Sequence, residues 1–303
     1  MSKPSNRRRL AVMAVIGATV SVAVAAPAMP PYGTWSAPAN LTSLPGTGPG
    51  VSTPAVDGCA SLSRDGLTIY FNSNRTGDQD IYMATRPSTA AGFANVQRLP
   101  APINSAADEA CPTIAHGNHL YFSSNRQDPA YDLYESHLTA NGWSAATRLG
   151  PNINRPGWLE ESAAFYEDGS HQVMLFSSRR PDGSESKIYE SVDGGPASLI
   201  AGGPHSSASD DRPSITHDGL TIFFDSDRAG TLGGPDLYYS TRSSTSQPFG
   251  PAIQLESLSS PDFDARPFIS WDGTLLTFSS ARPGNPSPAP DIWYSTRNRA
   301  GGR

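Results

Sequence analysis

The stretch DRPSITHDGLTIFFDSDRAG, residues 211–230, joins two apolar runs through an Asp-Gly pair and ends near an arginine. The same pattern occurs four more times, as CASLSRDGLTIYFNSNRTG, CPTIAHGNHLYFSSNRQD, SAAFYEDGSHQVMLFSSRRPDG and RPFISWDGTLLTFSSARPG. Apolar runs joined by Asp-Gly are typical of a β-hairpin, because this pair readily adopts the positive backbone angles of a tight turn. The sequence therefore predicts five similar hairpins.

The spacing of these copies predicts how the hairpins are assembled. The closing arginines are Arg75, Arg126, Arg180, Arg228 and Arg282, at intervals of 51, 54, 48 and 54 residues. Each repeat continues with a third strand-like segment, such as DIYMATR or DLYYSTR, and a fourth that follows a glycine and an aromatic residue, such as GWSAATRL. A period near fifty with this strand content indicates a β-propeller with one blade per repeat.

The fifth repeat stops after its third segment, DIWYSTR, but GTWSAPANL at residues 33–41 matches the pattern of a fourth. We therefore predict an all-β, five-bladed β-propeller of four-stranded blades over residues 33–303, in which residues 33–41 complete blade 5. Ring closure of this kind leaves no long unpaired strand edge.

The first residues have the features of an export signal. Lys3 and Arg7 to Arg9 precede an apolar run from Leu10 to Val24, and Ala23-Val24-Ala25 offers a cleavage pattern of small residues. The prediction is a signal peptide at 1–25, a linker at 26–32, and a periplasmic or secreted bacterial protein. An uncleaved membrane anchor is the alternative, and the choice between general and twin-arginine export stays open.

Charge and missing motifs narrow the function. The chain of 303 residues has 22 basic and 28 acidic residues, and cleavage would remove four basic ones, so the net charge would change from −6 to 18 − 28 = −10. Such a protein is a poor candidate for nucleic acid or an anionic membrane surface. A nucleophile elbow and a glycine-rich phosphate loop are both missing. We expect a monomer with no cofactor, no metal site and no membrane span after cleavage.

The repeat P-x-[IL]-x-x-D-G-x-x-[IL]-x-F-x-S-x-R…D-[IL]-Y resembles the TolB-type, WD40-like propeller repeat of bacterial envelope proteins. The resemblance covers about residues 33–297. It implies the fold and an exported setting. For the function we predict a binding role toward an envelope protein segment or a saccharide. TolB itself has six blades and an additional N-terminal α/β domain, so its partners are not implied.

Each repeat has an acidic residue at the start of its innermost strand. We call these the ring acids: Asp57, Glu109, Glu160, Asp210 and Asp264. One interpretation is a carboxylate-lined binding site at one mouth of the central channel. The other is a structural lattice in which each repeat arginine bridges carboxylates of its own and the neighbouring blade, as the planar guanidinium permits.

Two residues after each ring acid the repeats differ, with Cys59, Cys111, Ser162, Arg212 and Arg266. Arg212 and Arg266 are candidate ligands for a carboxylate, a phosphate or an acidic sugar, or they only neutralise the ring acids. Inner strands converge at the axis, so Cys59 and Cys111 are a candidate disulfide; the alternative is two buried thiols. Trp158 and Trp271 either stack on sugars or pack between blades.

An enzymatic function is the alternative. Some five-bladed propellers that resemble this one are glycosidases with three carboxylates on inner strands of different blades. General acid and base catalysis at a glycosidic bond needs two carboxylates with separated pKa values. By this resemblance Asp57, Glu109 and Glu160 would be the catalytic residues of a glycoside hydrolase or lyase.

Overall fold

The computed structural model describes residues 32–299, which form five antiparallel sheets arranged as blades around one axis. Blade 1 contains Asp57–Leu62, Thr68–Ser73, Asp80–Thr85 and Ala94–Arg98. Blade 2 contains Glu109–Ala115, His119–Ser124, Asp132–Thr139 and Thr147–Arg148, with Gly142–Trp143 paired to the end of its third strand. Blade 3 contains Leu159–Asp168, His171–Arg179, Lys187–Val192 and Ser198–Leu199.

Blade 4 contains Asp210–Ile215, Thr221–Ser226, Asp236–Thr241 and Ile253–Gln254. Blade 5 contains Asp264–Ile269, Leu275–Ser280 and Asp291–Thr296, and its fourth strand is Ala39–Asn40. Two short 3-10 helices, Leu41–Ser43 and His116–Asn118, lie between strands. The predicted all-β, five-bladed propeller of four-stranded blades is therefore confirmed.

The N-terminal segment closes the ring as predicted, although its regular pairing is short. Ala39 pairs with Tyr294 and Asn40 with Trp293, and the backbone N–H of Ser36 donates to the carbonyl of Thr296 at 2.7 Å. The Asn40 amide donates to the Asp291 carboxylate at 2.9 Å. Arg98 and Arg148, on the fourth strands of blades 1 and 2, make the corresponding contacts to third-strand aspartates. The closing segment thus reproduces the side-chain contact of an ordinary fourth strand.

The hydrophobic core consists of five clusters, and each fills the space between two neighbouring blades. Phe122 and Leu120 of blade 2 pack with Ile81 of blade 1, for example, and all three are fully buried. The cluster of blades 5 and 1 includes Ile292 and Phe71 and completes the circle. Burial of a large apolar side chain contributes about 1.5–3 kcal/mol. Because each cluster is formed by two neighbouring blades, all five clusters are buried only when the ring is closed.

The predicted signal peptide at 1–25 and residues 26–31 of the predicted linker lie outside the described residues. Within residues 32–299, no helix has the length and apolar character needed to cross a membrane. The same residues contain no cluster of three or more His, Cys, Asp or Glu side chains suited to a metal ion.

Candidate functional site

The ring acids lie where the sequence places them along the chain, but their side chains do not line an open mouth. Each is the first residue of an inner strand, or the second in the case of Glu160; each lies opposite a serine of the second strand and is 0% exposed. The residues concerned are Asp57, Glu109, Glu160, Asp210 and Asp264. We call the channel opening at this end the acid face. In this geometry the ring acids are interior groups, which differs from the expectation of a carboxylate-lined mouth.

Four of the ring acids are bonded to the repeat arginine of their own blade. The Nη2–carboxylate distances are 2.6 Å for Arg75–Asp57, 3.0 Å for Arg126–Glu109, 2.5 Å for Arg228–Asp210 and 2.6 Å for Arg282–Asp264. Each arginine also donates to a carbonyl of the loop that leads into its blade, such as Gly50 or Leu258. The predicted lattice of repeat arginines thus acts within a blade and its incoming loop. A bridge between blades comes instead from Lys187 of blade 3, at 3.1 Å from Asp210.

Glu160 in blade 3 is the exception among the ring acids. In the other four blades a Ser or Thr four residues earlier donates both its hydroxyl and its backbone N–H to the acid, as Ser105 does to Glu109. Pro156 occupies this position in blade 3 and has neither donor. Arg180 is exposed and forms no ion pair with a described residue. The Oε1 atom of Glu160 accepts from Ser178, whereas Oε2 has no hydrogen-bond partner among the described residues.

This environment changes the acidity of Glu160. Burial in the absence of a cation at hydrogen-bonding distance raises the pKa of the Glu160 carboxyl to about 7, and the hydrogen bond from Ser178 only partly opposes this. Near neutral pH the side chain is therefore divided between its protonated and its charged form.

The residues two positions after the ring acids all have positive φ, between 47° and 58°, at a β-bulge in the inner strand. They are Cys59, Cys111, Ser162, Arg212 and Arg266. Such angles are uncommon outside glycine. The bulge leaves each of their backbone N–H groups without a partner in its own sheet, so the donor has to be satisfied elsewhere.

In each blade this N–H donates to a second-strand side chain of the preceding blade. The acceptors are Ser279 for Cys59, Asn72 for Cys111, Ser123 for Ser162, Ser177 for Arg212 and Asp225 for Arg266, at 2.6–3.3 Å. We call these five hydrogen bonds the inter-blade bonds. Sequence reasoning missed them. The available signal was the residue after phenylalanine in F-x-S, which is Asn, Ser or Asp in every repeat and therefore always a short acceptor.

The candidate disulfide is present at this level. The sulfur atoms of Cys59 and Cys111 are 2.04 Å apart and their Cα atoms 4.9 Å apart. The bond joins the inner strands of blades 1 and 2 next to the axis, where the two bulges bring the side chains together.

Arg212 and Arg266 also lie at this level, in blades 4 and 5. Arg212 donates from Nη1 to Asp225 at 2.8 Å, and its Nη2 lies 3.4 Å from Glu161. Arg266 packs over the ring of Phe263 and forms no ion pair with a described residue. The expectation that both arginines neutralise the ring acids is thus not met, since the acids within 4.0 Å of Arg212, namely Glu161, Asp211 and Asp225, are not ring acids.

The two tryptophans have different surroundings. The guanidinium groups of Arg155 and Arg180 lie 4.7 and 5.5 Å from the centre of the Trp158 ring, which also makes an edge contact with Tyr189. Trp271 lies at the other end of the channel, 38% exposed, with Arg64 over its ring at 4.2 Å.

A cavity of about 660 Å³ opens at that other end, among the hairpin turns between first and second strands. We call this opening the turn face and the space the turn-face cavity. All five blades line it. Its floor is apolar, with Leu62, Ile114, Ala164, Ile215, Phe268 and Ile269, and its rim is polar, with Arg64, Asp65, His116, Glu167, Gln172 and His217. This cavity therefore lies at the face opposite to the binding mouth predicted at the acid face.

The blades contribute unequally to the turn-face cavity. In blades 1, 4 and 5 an arginine after the third strand holds the turn, as Arg86 does through the carbonyl of Gly66 at 2.6 Å. At the corresponding position, six residues after the start of the third strand, blade 2 has Leu138 and blade 3 has Asp193. Blade 2 forms the 3-10 turn His116–Asn118, and blade 3 extends its hairpin to Asp168 and His171. The cavity wall therefore departs from five-fold symmetry at blades 2 and 3.

No family model and no curated protein matches the chain. Several solved structures are similar to the chain in fold. A protein of Agrobacterium tumefaciens assigned as TolB is 17% identical with a TM-score of 0.50, covering 82% of this chain and 79% of its own. The native arabinanase of Bacillus subtilis is 13% identical with a TM-score of 0.58, covering 80% and 94%. The catalytic domain of an α-L-arabinofuranosidase of Coprinopsis cinerea is 13% identical with a TM-score of 0.55, covering 91% and 100%.

These likenesses are likenesses of fold. At such identities they support the five-bladed propeller and do not carry a site from one protein to another, because one propeller fold serves many activities.

Proposed function

We propose that the protein is an exported binding module, and that its ligand, a segment of an envelope protein, enters the turn-face cavity. The observation that carries the proposal is the cavity itself, with an aliphatic floor and a polar, partly charged rim built from all five blades. Binding sites combine an apolar interior with a few polar groups that fix orientation.

The composition of the floor favours a peptide over a sugar. Ile114, Ile215 and Ile269 offer an apolar surface for a hydrophobic side chain, while the hydroxyl groups of a saccharide would find few partners there. In protein interfaces such an apolar anchor, surrounded by a polar rim, supplies most of the binding energy.

A saccharide is the second candidate because of Trp271. This ring is 38% exposed at the rim of the turn-face cavity. However, Arg64 lies over the ring at 4.2 Å and His217 lies beside it at 5.1 Å, so a sugar would have to displace one of them to stack.

The geometry of the ring acids favours binding over hydrolysis. Asp57 and Glu109 are fully buried and bonded to arginines, and Glu160 is fully buried beside Ser178. A glycosidase places two carboxyl groups on either side of an accessible glycosidic bond. The three carboxylates of the enzymatic alternative are buried, which supports the binding role.

The proposal can be tested with random peptides displayed on phage and selected on the protein with its predicted signal peptide removed. Selected peptides should contain an apolar side chain and should lose affinity at least about tenfold for Ile114→Glu, which places a charge in the cavity floor. The matched control is Ile253→Glu, the same change at a side chain that is 51% exposed on blade 4. It should change affinity less than about twofold.

Three outcomes would contradict the proposal. Peptides that bind both variants equally would place the site elsewhere, and failure to select any peptide would argue against a peptide ligand. Enrichment on a glycan array that Ile114→Glu abolishes would favour the saccharide. Cleavage of a glycoside by the wild-type protein but not by Glu160→Gln would favour the enzymatic alternative.

A further inference from the structure

The axial channel narrows to a small chamber at the level of the β-bulges. It has a volume of about 20 Å³ and is lined by the Cys59–Cys111 disulfide, Arg212, Arg266, Ser61, Ser162 and the prolines that follow three of the bulges. We call this space the axial chamber. A volume of this order holds one water-sized particle, so it is too small for a carboxylate, a phosphate or a sugar.

Four buried polar atoms of the residues lining the axial chamber have no hydrogen-bond partner among the described residues. They are the Oγ atoms of Ser61 and Ser162 and the Nε atoms of Arg212 and Arg266. Both serines are more than nine-tenths buried. A guanidinium can only donate, and a hydroxyl can donate. Buried donors are normally satisfied, so this concentration of unpaired donors indicates an acceptor in the chamber.

The charge of the lining has one sign. Two arginines and no carboxylate are among the described residues that line the axial chamber. The acids nearest to it are engaged with Arg212: Asp225 at 2.8 Å, Glu161 at 3.4 Å and Asp211 at 3.8 Å. The Arg266 guanidinium has no carboxylate oxygen within 4.0 Å among the described residues. A buried guanidinium without a direct ion pair is costly unless an anion joins it.

The acidity of the neighbouring acids is consistent with this charge balance. Burial raises the pKa of Asp225 to about 7 and also raises the pKa of Glu161, in each case against the attraction of Arg212. Near neutral pH the Asp225 carboxyl is thus partly neutral, which makes the surroundings of Arg266 more positive.

We propose that the axial chamber binds one monatomic anion, such as chloride, between Arg266, Arg212, Ser61 and Ser162. The anion accepts hydrogen bonds from the unpaired donors and supplies the ion pair that the Arg266 guanidinium lacks. Because it contacts blades 1, 3, 4 and 5, it stabilises the closed ring. This site is distinct from the turn-face cavity and does not depend on the peptide-binding proposal.

The test uses bromide as the probe in crystals and chloride in solution. Crystals of the protein with its disulfide intact, soaked in sodium bromide, should show an anomalous peak in the axial chamber next to the Arg266 guanidinium. In mixtures of sodium chloride and sodium gluconate at constant ionic strength, the melting temperature should rise with the chloride concentration, because gluconate is too large for the chamber.

Two variants assign the effect to the axial chamber. Arg266→Gln should abolish the dependence on chloride, while Arg179→Gln, which removes the same charge from an exposed side chain, should retain it. If Arg266→Gln does not fold, Ser61→Ala keeps both charges and removes one donor, and it should raise the chloride concentration at half effect several-fold.

Equal melting temperatures in chloride and gluconate, together with no anomalous peak, would overturn the proposal. Water would then be the occupant of the axial chamber. A chloride effect of unchanged midpoint in both Arg266→Gln and Ser61→Ala would also overturn it, because the ion would then bind elsewhere.

Discussion

At the scale of single residues, Pro156 explains why one ring acid behaves differently from four others. A proline has no N–H, and this one replaces the hydroxyl residue that donates twice to the acid in every other blade. Glu160 therefore keeps its place in the fold but loses the partners that would stabilise its charge. The arginine that should pair with it, Arg180, contacts Trp158 instead.

The raised pKa of Glu160 predicts a pH dependence of stability. In the unfolded chain the carboxyl would titrate near its usual value of 4.5, whereas in the folded protein its pKa is about 7. Between these two pH values the folded state binds one more proton than the unfolded state. The contribution of Glu160 to the free energy of unfolding is therefore fully present below pH 4.5 and is lost as the pH rises through 7. The loss for this group is on the order of 3 kcal/mol.

Glu160→Gln removes this titration. Urea unfolding at pH 5 and pH 8 should show that the variant loses less stability over this interval than the wild type does. Glu109→Gln is the control, because Glu109 is paired with Arg126 at 3.0 Å and its replacement should destabilise the protein at both pH values. A wild type and a Glu160→Gln variant with identical pH profiles would disprove the assignment.

At the scale of secondary structure elements, the inter-blade bonds connect each second strand to the inner strand of the next blade. They arise because the β-bulge frees one backbone N–H in each inner strand, and the residue after phenylalanine in the second strand lies opposite this donor. The bond from Cys59 to Ser279 is the one that joins the last blade to the first.

Ser279→Ala should cost about 1–3 kcal/mol of the free energy of unfolding, because the buried N–H of Cys59 is left without an acceptor. Chemical unfolding of the variant measures this cost. Ser243→Ala, at an exposed serine, provides the matched control and should change the stability by less than about 0.5 kcal/mol. If both changes cost the same, the bond to Ser279 contributes nothing to ring closure.

At the scale of the whole molecule, the ring is held by contacts that differ in kind. Five apolar clusters fill the spaces between blades, Ala39–Asn40 pairs with the last sheet, and the Cys59–Cys111 bond joins blades 1 and 2 near the axis. The first two depend on packing and strand pairing, whereas the third is covalent and depends on oxidising conditions.

Replacing both cysteines by alanine should lower the free energy of unfolding by about 2–4 kcal/mol, because the cross-link no longer restricts the unfolded chain. Reduction of the wild type with dithiothreitol should lower its melting temperature to about that of the double variant. The double variant should not respond to dithiothreitol. A wild type that melts at the same temperature with and without the reductant would show that this bond adds nothing to stability.

Much of the fold could be predicted from local sequence. Asp-Gly turns, alternating apolar runs and a period near fifty residues are properties of neighbouring residues, and they specify hairpins, blades and their number. Residues 33–41 could be assigned to blade 5 because its own fourth strand is missing from the C-terminal end of the repeat. The same repeat also predicted an acidic residue at the start of each inner strand.

What the acids and arginines do was decided only by the tertiary structure. Exposure depends on how five inner strands converge, and this convergence buries Asp57 and Glu109 while it leaves an apolar cavity among the turns at the other end. Arg212 and Arg266 occupy equivalent repeat positions, yet only the Arg212 guanidinium has carboxylates within 4.0 Å among the described residues. These come from its own blade, as Asp225 does, and from the preceding blade, as Glu161 does. Distances across the axis join residues that are far apart in the chain, so no local pattern encodes them.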